Sequence, residues 1–386
     1  MKEAKDMKEG WEYKKLGEVC EITMGQSPDS KSYNKDGNGL PFFQGCADFG
    51  TLNPNISTYC SEPKKIAEPL DVLMSVRAPV GTLNIANTKC CIGRGLASFR
   101  EIKNKSSYKF LYYLLKSSER YFQDNSTGAT FKAIGKDLIV NYKIKIPSLN
   151  KQIEISSELD LLSGVIEKQK AQLEELEKLA QSIFYDMFGD PVNNEKGWEM
   201  KKLYEISNVG TGSTPSRNNG KYYEGGAIPW VKTTEVQNCE IFETEEKISE
   251  LAIKETNCKV YPIGTLLLAM YGQGKTRGQL AKLRIEAATN QACAAIVLNN
   301  DFSIPDYVYE YLHLQYENIR DMARGGNQLN LNLNIVKAIP IFLPPLSLQQ
   351  EFAAKVEAIE AMKAKVRQSL KEAETLFNER MDYYFN

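Results

Sequence analysis

GWEYKKLGEVCEITMGQSP, residues 10–28, returns as GWEMKKLYEISNVGTGSTP, residues 197–215. Trp11 matches Trp198 and Pro28 matches Pro215, both 187 residues later, so the segment aligns without a gap. The two halves also end alike. Pro147, Leu149 and Gln152 in IPSLNKQ correspond to Pro344, Leu346 and Gln349 in LPPLSLQ, 197 residues on. The offset grows from 187 to 197, so the second half carries about ten inserted residues. Solenoid units repeat every ~20 to 50 residues, and this longer period is a domain-scale duplication. A duplicated domain implies two similar surfaces in one molecule.

At 386 residues the chain exceeds what one hydrophobic core usually holds, so two domains are expected, and the repeat says where to divide them. With 42% hydrophobic and 10% aromatic residues it has the material for packed cores. No apolar run reaches the ~18 residues of a membrane helix, and MKEAKDMKEG lacks a signal peptide's apolar stretch. No membrane association is expected, and the expected compartment is the cytoplasm. The eight cysteines form no CxxC pair and do not recur between the halves, which argues for reduced, mostly buried thiols and no metal site. Lys and Arg total 48 against 49 Asp and Glu, a balance that by itself disfavours nonspecific polyanion binding. The distribution differs from the sum. Acidic residues crowd AQLEELEKL from Ala171 and VRQSLKEAETL from Val366, whereas APVGTLNIANTKCCIGRG and YGQGKTRGQLAKLR carry only cations.

Each half begins with short apolar runs bounded by Gly and Pro, among them DVLMSV and TLLLAM, which suit strands with function on the loops between them. SYKFLYYLLKSSERYF and PDYVYEYLHLQYENIR follow at equivalent places with helical spacing and should form packed helices. A long amphipathic helix closes each half. Leu159, Leu162, Ile166, Gln169, Leu173, Leu176, Ala180, Ile183 and Met187 alternate at steps of three and four, the pattern of a coiled-coil seam. Their counterparts are Val356, Ile359, Lys363, Val366, Leu370, Ala373, Phe377, Arg380 and Tyr384. A helix of roughly 35 to 40 residues is on the order of 55 Å long, more than one small domain needs, so the two helices should pair with each other.

The expected fold is α+β: two globular, β-rich domains with helices, separated by two long antiparallel coiled-coil helices under a pseudo-twofold internal repeat. The expected boundaries are an N-terminal segment 1–10, a first domain 11–148, a helical region 149–190, a second domain 198–345 and a second helical region 346–386.

AMYGQGKT, residues 269–276, fits a relaxed phosphate-loop pattern with Lys275 and Thr276 at its end. Its counterpart SVRAPVG has Pro79 where a backbone N–H is needed, and no convincing acidic metal partner is in sight, so a cationic loop in each domain is the better reading. His313, the only histidine, lies inside a helical pattern and reads as a packed or solvated helix residue. NVGTGSTP lacks the preceding strand, third Gly and distal acid of a dinucleotide site and reads as a turn. No nucleophile elbow or amino-methyltransferase motif occurs, so no catalytic residues are assigned.

Nucleic-acid contact fits the remaining loops best, because Arg reads guanine, Asn or Gln adenine, and Ser or Thr either, while Lys and Arg neutralise phosphates. The candidates in the first domain are Gln26, Ser27, Lys31, Tyr33, Gln44, Arg77, Arg94, Thr130 and Lys132. In the second they are Thr214, Ser216, Arg217, Lys232, Thr233, Thr234, Tyr271, Gln273, Lys275, Arg277, Asn290, Gln291, Arg324, Asn327 and Gln328. For any single residue an ordinary surface loop is the competing reading. The signal is that these residues fall at equivalent places in two diverged repeats.

Taken together, the W-x-x-x-x-L openings at Trp11 and Trp198, the Pro-rich closings IPSLNKQ and LPPLSLQQE, and MSVRAPVGTLNIA with CIGRGLA resemble the specificity subunit of a type I restriction-modification enzyme over essentially the whole chain. The resemblance implies a non-catalytic DNA-reading scaffold. Each domain would bind one half of a bipartite, asymmetric duplex target, and the helix pair would set the spacer. It also implies two modification subunits, which bind S-adenosylmethionine and methylate adenine, and restriction subunits that use ATP and magnesium. This chain itself would need no cofactor. Gln169, Lys363 and Arg380 interrupt the seam and are candidates to face the modification subunits instead. Two other classes compete: a coiled-coil scaffold that binds only proteins, and a self-sufficient methylating or nucleotide-hydrolysing enzyme.

Overall fold

The repeated openings fold alike. Trp11–Lys15 and Glu199–Lys202 are strands, each paired antiparallel with the strand that closes its own half, so that Trp11 lies opposite Pro147 and Glu199 opposite Leu343. Leu16 and Leu203, the leucines of W-x-x-x-x-L, are wholly buried one residue past those strands. The computed structural model describes residues 10–128, 132–272, 274–325 and 330–386, with backbone alone at 324 and 325. The chain divides into two units, Met1–Lys170 with Gln368–Asn386, and Ala171–Arg367. The division falls within both long helices, so each unit takes part of each helix.

In the first unit an antiparallel sheet runs in the order Cys20–Met24, Leu96–Glu101, Val72–Ser75, Leu83–Ile85. In the second unit Ser207–Thr211, Cys293–Leu298, Leu266–Ala269 and Leu280–Leu283 repeat that order, and Cys239–Ile241 adds a fifth strand parallel to Leu280–Leu283. Val72–Ser75 and Leu266–Ala269 are buried throughout. That is why DVLMSV and TLLLAM read as unbroken apolar runs rather than as alternating ones.

A second sheet also repeats. Its core is a parallel pair, Leu40–Phe43 beside Cys90–Ile92 in one unit and Ile228–Val231 beside Ala287–Thr289 in the other. Strand register places the insertions of the second half. The offset is 187 at Ser207, 188 at Val231, 194 at Leu266 and 197 at Leu280. The largest step contains the added strand Cys239–Ile241, and the next lengthens the GQGKTRG loop. One expectation is corrected here: the start of NVGTGSTP belongs to the strand Ser207–Thr211, and the irregular loop begins only at Gly212. The strand is legible only from its partner Cys293–Leu298, because Gly and Asn have low intrinsic strand preference.

The expected helices are present, each broken once: Tyr108–Ser117 and Glu119–Asp124, then Pro305–Leu314 and Tyr316–Asp321. The long helices run Leu149–Phe188 and Leu346–Phe385, 40 residues each. In the first unit Leu159, Leu162 and Ile166 share a core with Leu370, Ala373, Phe377, Met381 and Tyr384. In the second, Ile183, Phe184, Met187 and Phe188 share one with Phe352 and Val356. Both pairings are antiparallel: Gln169 Nε2 donates to Ser369 Oγ at 2.5 Å, and Lys363 Nζ lies 3.9 Å from Glu177. Ile359 is buried, and Leu173, Leu176 and Val366 are half-buried.

The polar seam residues each have a partner within the protein. Gln169 reaches Ser369, Arg380 lies 2.7 Å from Glu158, and Lys363, only 7% exposed, lies 2.7 Å from Glu360. The cysteines are free thiols, six of the eight buried, and burial pushes Cys20 and Cys90 up to about 12. Among the described residues no helix is long and apolar enough to cross a membrane.

Candidate nucleic-acid interface

Four loops of the first unit are tied into one frame by backbone hydrogen bonds. Gln26 N–H donates to Ile92 O at 3.0 Å, Gly93 N–H to Phe43 O at 2.8 Å, Gly95 N–H to Gln44 O at 3.2 Å and Val76 N–H to Gly95 O at 2.9 Å. The frame extends through Ala78 N–H to Lys132 O and Ile134 N–H to Val76 O, both 3.0 Å. It gathers Gln26, Ser27, Gln44, Arg77, Arg94 and Lys132, which the sequence scatters over more than a hundred positions. Ser27 Oγ is the hub. It lies 3.1 and 3.0 Å from Oε1 and Nε2 of Gln44 and accepts Arg94 N–H at 3.2 Å.

Tyr33 closes the edge of this frame by stacking on Phe42 at 4.6 Å and donating its hydroxyl to Pro28 O at 3.0 Å. Burial pushes that hydroxyl up, and the nearby Arg94 guanidinium opposes the shift. Lys31 sits on the one-turn helix Ser30–Ser32, whose start is held by Asp29 accepting Lys31 N–H at 3.0 Å. Lys31, Arg77, Arg94 and Lys132 are exposed and have no ion pair among the described residues. The site is therefore cationic in a chain of near-zero net charge.

The second unit rebuilds the frame with other side chains. Ser213 N–H donates to Thr289 O at 3.0 Å, Asn290 N–H to Val231 O at 3.1 Å, Met270 N–H to Ala292 O at 2.8 Å and Leu331 N–H to Met270 O at 3.1 Å. Three of these bonds match the four-loop set above and the fourth matches Ile134 to Val76, which equates Ser27 with Thr214, Gln44 with Lys232, Arg77 with Tyr271 and Arg94 with Gln291. In place of the Gly95–Gln44 bond, Ala292 N–H donates to Asn290 Oδ1 at 3.1 Å. Thr214 Oγ1 donates to Gln291 Oε1 at 2.5 Å. Tyr223 takes the place of Tyr33, donating to Pro215 O at 2.6 Å and meeting Trp230 edge-on at 6.3 Å. Tyr223 was not among the expected residues because the insertions move it off the constant offset. Tyr271 and Gln291 line an open hollow of about 380 Å³ with Asn332 and Asn334, two further residues that sequence reading missed.

Several expected second-domain residues are already engaged. Arg217 lies 2.6 Å from Glu246 and 4.4 Å from the Tyr223 ring, and its guanidinium holds the Glu246 carboxyl below the usual range. Lys232 lies 2.5 Å from Glu245 and 3.1 Å from Glu246. Thr233 is buried and donates to Asn290 Oδ1 at 2.9 Å, so both use polar atoms to hold the frame. Thr234 is exposed on the turn Thr233–Glu235, and Ser216 is exposed and accepts Asn219 N–H at its carbonyl.

The GKT loop folds against the helix Tyr316–Asp321. Gly274 O and Arg277 O accept from Arg320 at 2.8 and 3.2 Å, and Lys275 O accepts from Tyr316 at 2.5 Å. A phosphate loop needs converging N–H donors, and this packing speaks against that reading. Lys275 is exposed, while Arg277 is half-buried with Nε unpartnered. Thr130, Gln273, Asn327 and Gln328 lie outside the described residues, and Arg324 is described by backbone alone, in the turn Met322–Gly325. His313 packs on its helix with Nδ1 3.8 Å from Glu310 and its ring 6.0 Å from Tyr309. No cluster of three or more His, Cys, Asp or Glu suited to a metal ion occurs among the described residues.

The comparisons with known proteins agree with this duplicated architecture. The family model described as type I restriction modification DNA specificity domain matches residues 8–178 and again 195–374. A Methanocaldococcus jannaschii protein named type I restriction enzyme MjaIX specificity subunit is 26% identical over 380 residues, covering 90% of this chain and 86% of that relative. Another from the same organism, provisionally named the MjaX specificity subunit, is 42% identical over 180 residues, 46% of this chain and 42% of its own length. The chain thus spans less than half the length of this second relative. Among solved structures, the type I restriction-modification system S subunit of M. genitalium superposes with a TM-score of 0.66 at 15% identity, covering 99% of this chain and 97% of that one, a likeness of fold.

Proposed function

Because the chain belongs to the type I restriction modification DNA specificity domain family, we propose that it reads a bipartite, asymmetric duplex target, with one recognition domain on each half-site and the paired long helices setting the spacer. The single observation that carries this reading is the pair of frames. One backbone scaffold presents Ser27 and Arg94 in the first domain and Thr214 and Gln291 in the second. A retained scaffold with exchanged polar side chains is what two readers of different sequences require, since specificity lies in side-chain contacts to base edges.

The chain acts without catalysis of its own in this reading. Two methyltransferase subunits supply S-adenosylmethionine and modify adenine, and restriction subunits supply ATP- and magnesium-dependent work. Apolar side chains left exposed on the long helices, including Ile153, Leu161, Leu179, Tyr185, Met362 and Tyr383, support docking of protein partners there. The complex operates in the cytoplasm, where host DNA is. The test is selection from a randomised duplex library by the chain assembled with its methyltransferase partners. A two-part motif with a fixed gap is expected. Binding of proteins without any sequence preference for DNA would leave the protein-only scaffold in its place.

A further inference from the structure

Between Cys90 and Ser98 every residue is buried except Arg94, and between Ala287 and Ile296 Gln291 is the one fully exposed side chain. Both stand at the apex joining two core strands, Cys90–Ile92 to Leu96–Glu101 and Ala287–Thr289 to Cys293–Leu298. A side chain projected from two buried strands has its root fixed by the core. The Arg94 apex is also sterically tight: a Cβ on Gly93 would come within 2.7 Å of Gln44 Oε1, and one on Gly95 within 2.5 Å of Gln44 O. The residue between those glycines is therefore the one that can carry a side chain outward.

We propose that this apex is the base-reading position of each recognition domain, with Arg94 directed to a guanine in one half-site and Gln291 to an adenine in the other. The inference rests on the DNA-reading function proposed above and names the residue that makes the choice. An arginine fork matches the O6 and N7 acceptors of guanine, and a glutamine amide matches the N6–H and N7 of adenine. The surrounding bonds leave those groups available. Ser27 holds the backbone N–H of Arg94, and the guanidinium has no ion pair among the described residues. Thr214 donates to Gln291 Oε1, which leaves a second lone pair and Nε2 available on a residue that lines the hollow with Tyr271 and Asn332.

The test compares library selections by the full-length chain, assembled with its methyltransferase partners, for wild type, R94A, Q291A and the exchanges R94Q and Q291R. R94A should lower discrimination at one G·C pair of one half-site by roughly ten-fold or more, leaving the other half-site unchanged, and Q291A should do the same at one A·T pair of the other. R94Q should move the preference at its position towards adenine and Q291R towards guanine. These exchanges carry the test if an alanine variant does not fold. Uniform weakening over all sequences, the mark of a phosphate contact, overturns the proposal, as does an unchanged motif in every variant. A wild-type complex that selects no two-part motif overturns the underlying reading, so the two failures are distinguishable.

Discussion

Tyr384 donates its hydroxyl to Glu158 Oε2 at 2.6 Å across a sequence separation of 226 residues. Arg380 approaches the other oxygen of the same carboxylate at 2.7 Å. One acid near the start of the first long helix thus receives two residues near the end of the second, which sets the register of the antiparallel pair in that unit. Burial and, after it, this hydrogen bond push the Tyr384 hydroxyl up to about 12. A tyrosine at ~10 when unfolded and near 12 when folded keeps its proton longer in the native state, so its stabilisation is full below about pH 10 and lost as pH rises through 12. Tyr384→Phe should cost roughly 1 kcal/mol at pH 8 and flatten the alkaline decline in stability, read by urea unfolding at several pH values. An unaltered alkaline slope would count against the assignment.

Leu159 is fully buried in its core, whereas Leu173 in the same predicted seam is half-exposed. Leu159→Ala should therefore cost roughly 2–5 kcal/mol, and Leu173→Ala less than about 2 kcal/mol. Denaturant midpoints of the two variants give the comparison. Equal losses would mean that the seam is buried evenly along its length.

Gln152 and Gln349, 197 residues apart, make the same set of bonds in their own units. Gln152 accepts Ser107 N–H and donates to Lys105 O and Pro147 O, while Gln349 accepts Ile304 N–H, donates to Phe302 O and Pro344 O, and accepts the Ser303 hydroxyl in addition. Each fastens the first turn of a long helix to the segment before a domain helix. Replacing either by Leu should cost on the order of 1–3 kcal/mol by stranding buried backbone groups. Wild-type thermal stability in both variants would refute that role.

Arg77 and Lys132 lie on adjoining segments, exposed and cationic, as phosphate contacts should be. Arg77→Ala or Lys132→Ala should weaken DNA binding about equally for all sequences and lower the slope of log K against log salt by about one. Salt titration of affinity measures this. A changed motif with an unchanged slope would assign the residue to base reading instead.

Seven residues added to each long helix lengthen it by about 10 Å, close to three base pairs of duplex. If the helices set the spacer, methylome sequencing of cells carrying the complete system should show the two halves of the motif moved apart by about that much, or modification lost. The original motif with its original gap would exclude helical spacing.

The amino-acid sequence alone determined the duplication, the two long helices and the residue types of the interface, because offsets of 187 and 197, heptad steps and Gly–Pro boundaries are local or periodic signals. Only the tertiary structure decided which loop residues share a site. The equivalences of Arg94 with Gln291 and of Tyr33 with Tyr223 cross insertions that shift the offset, and they became visible through strand register and hydrogen bonds between segments far apart in the chain. It also decided that Arg217 and Lys232 face acidic partners and that Thr233 is buried, since a side chain's neighbours are fixed by packing. Periodicity reports which face of an element is apolar. Which charges meet is decided only when distant segments are brought within hydrogen-bonding distance.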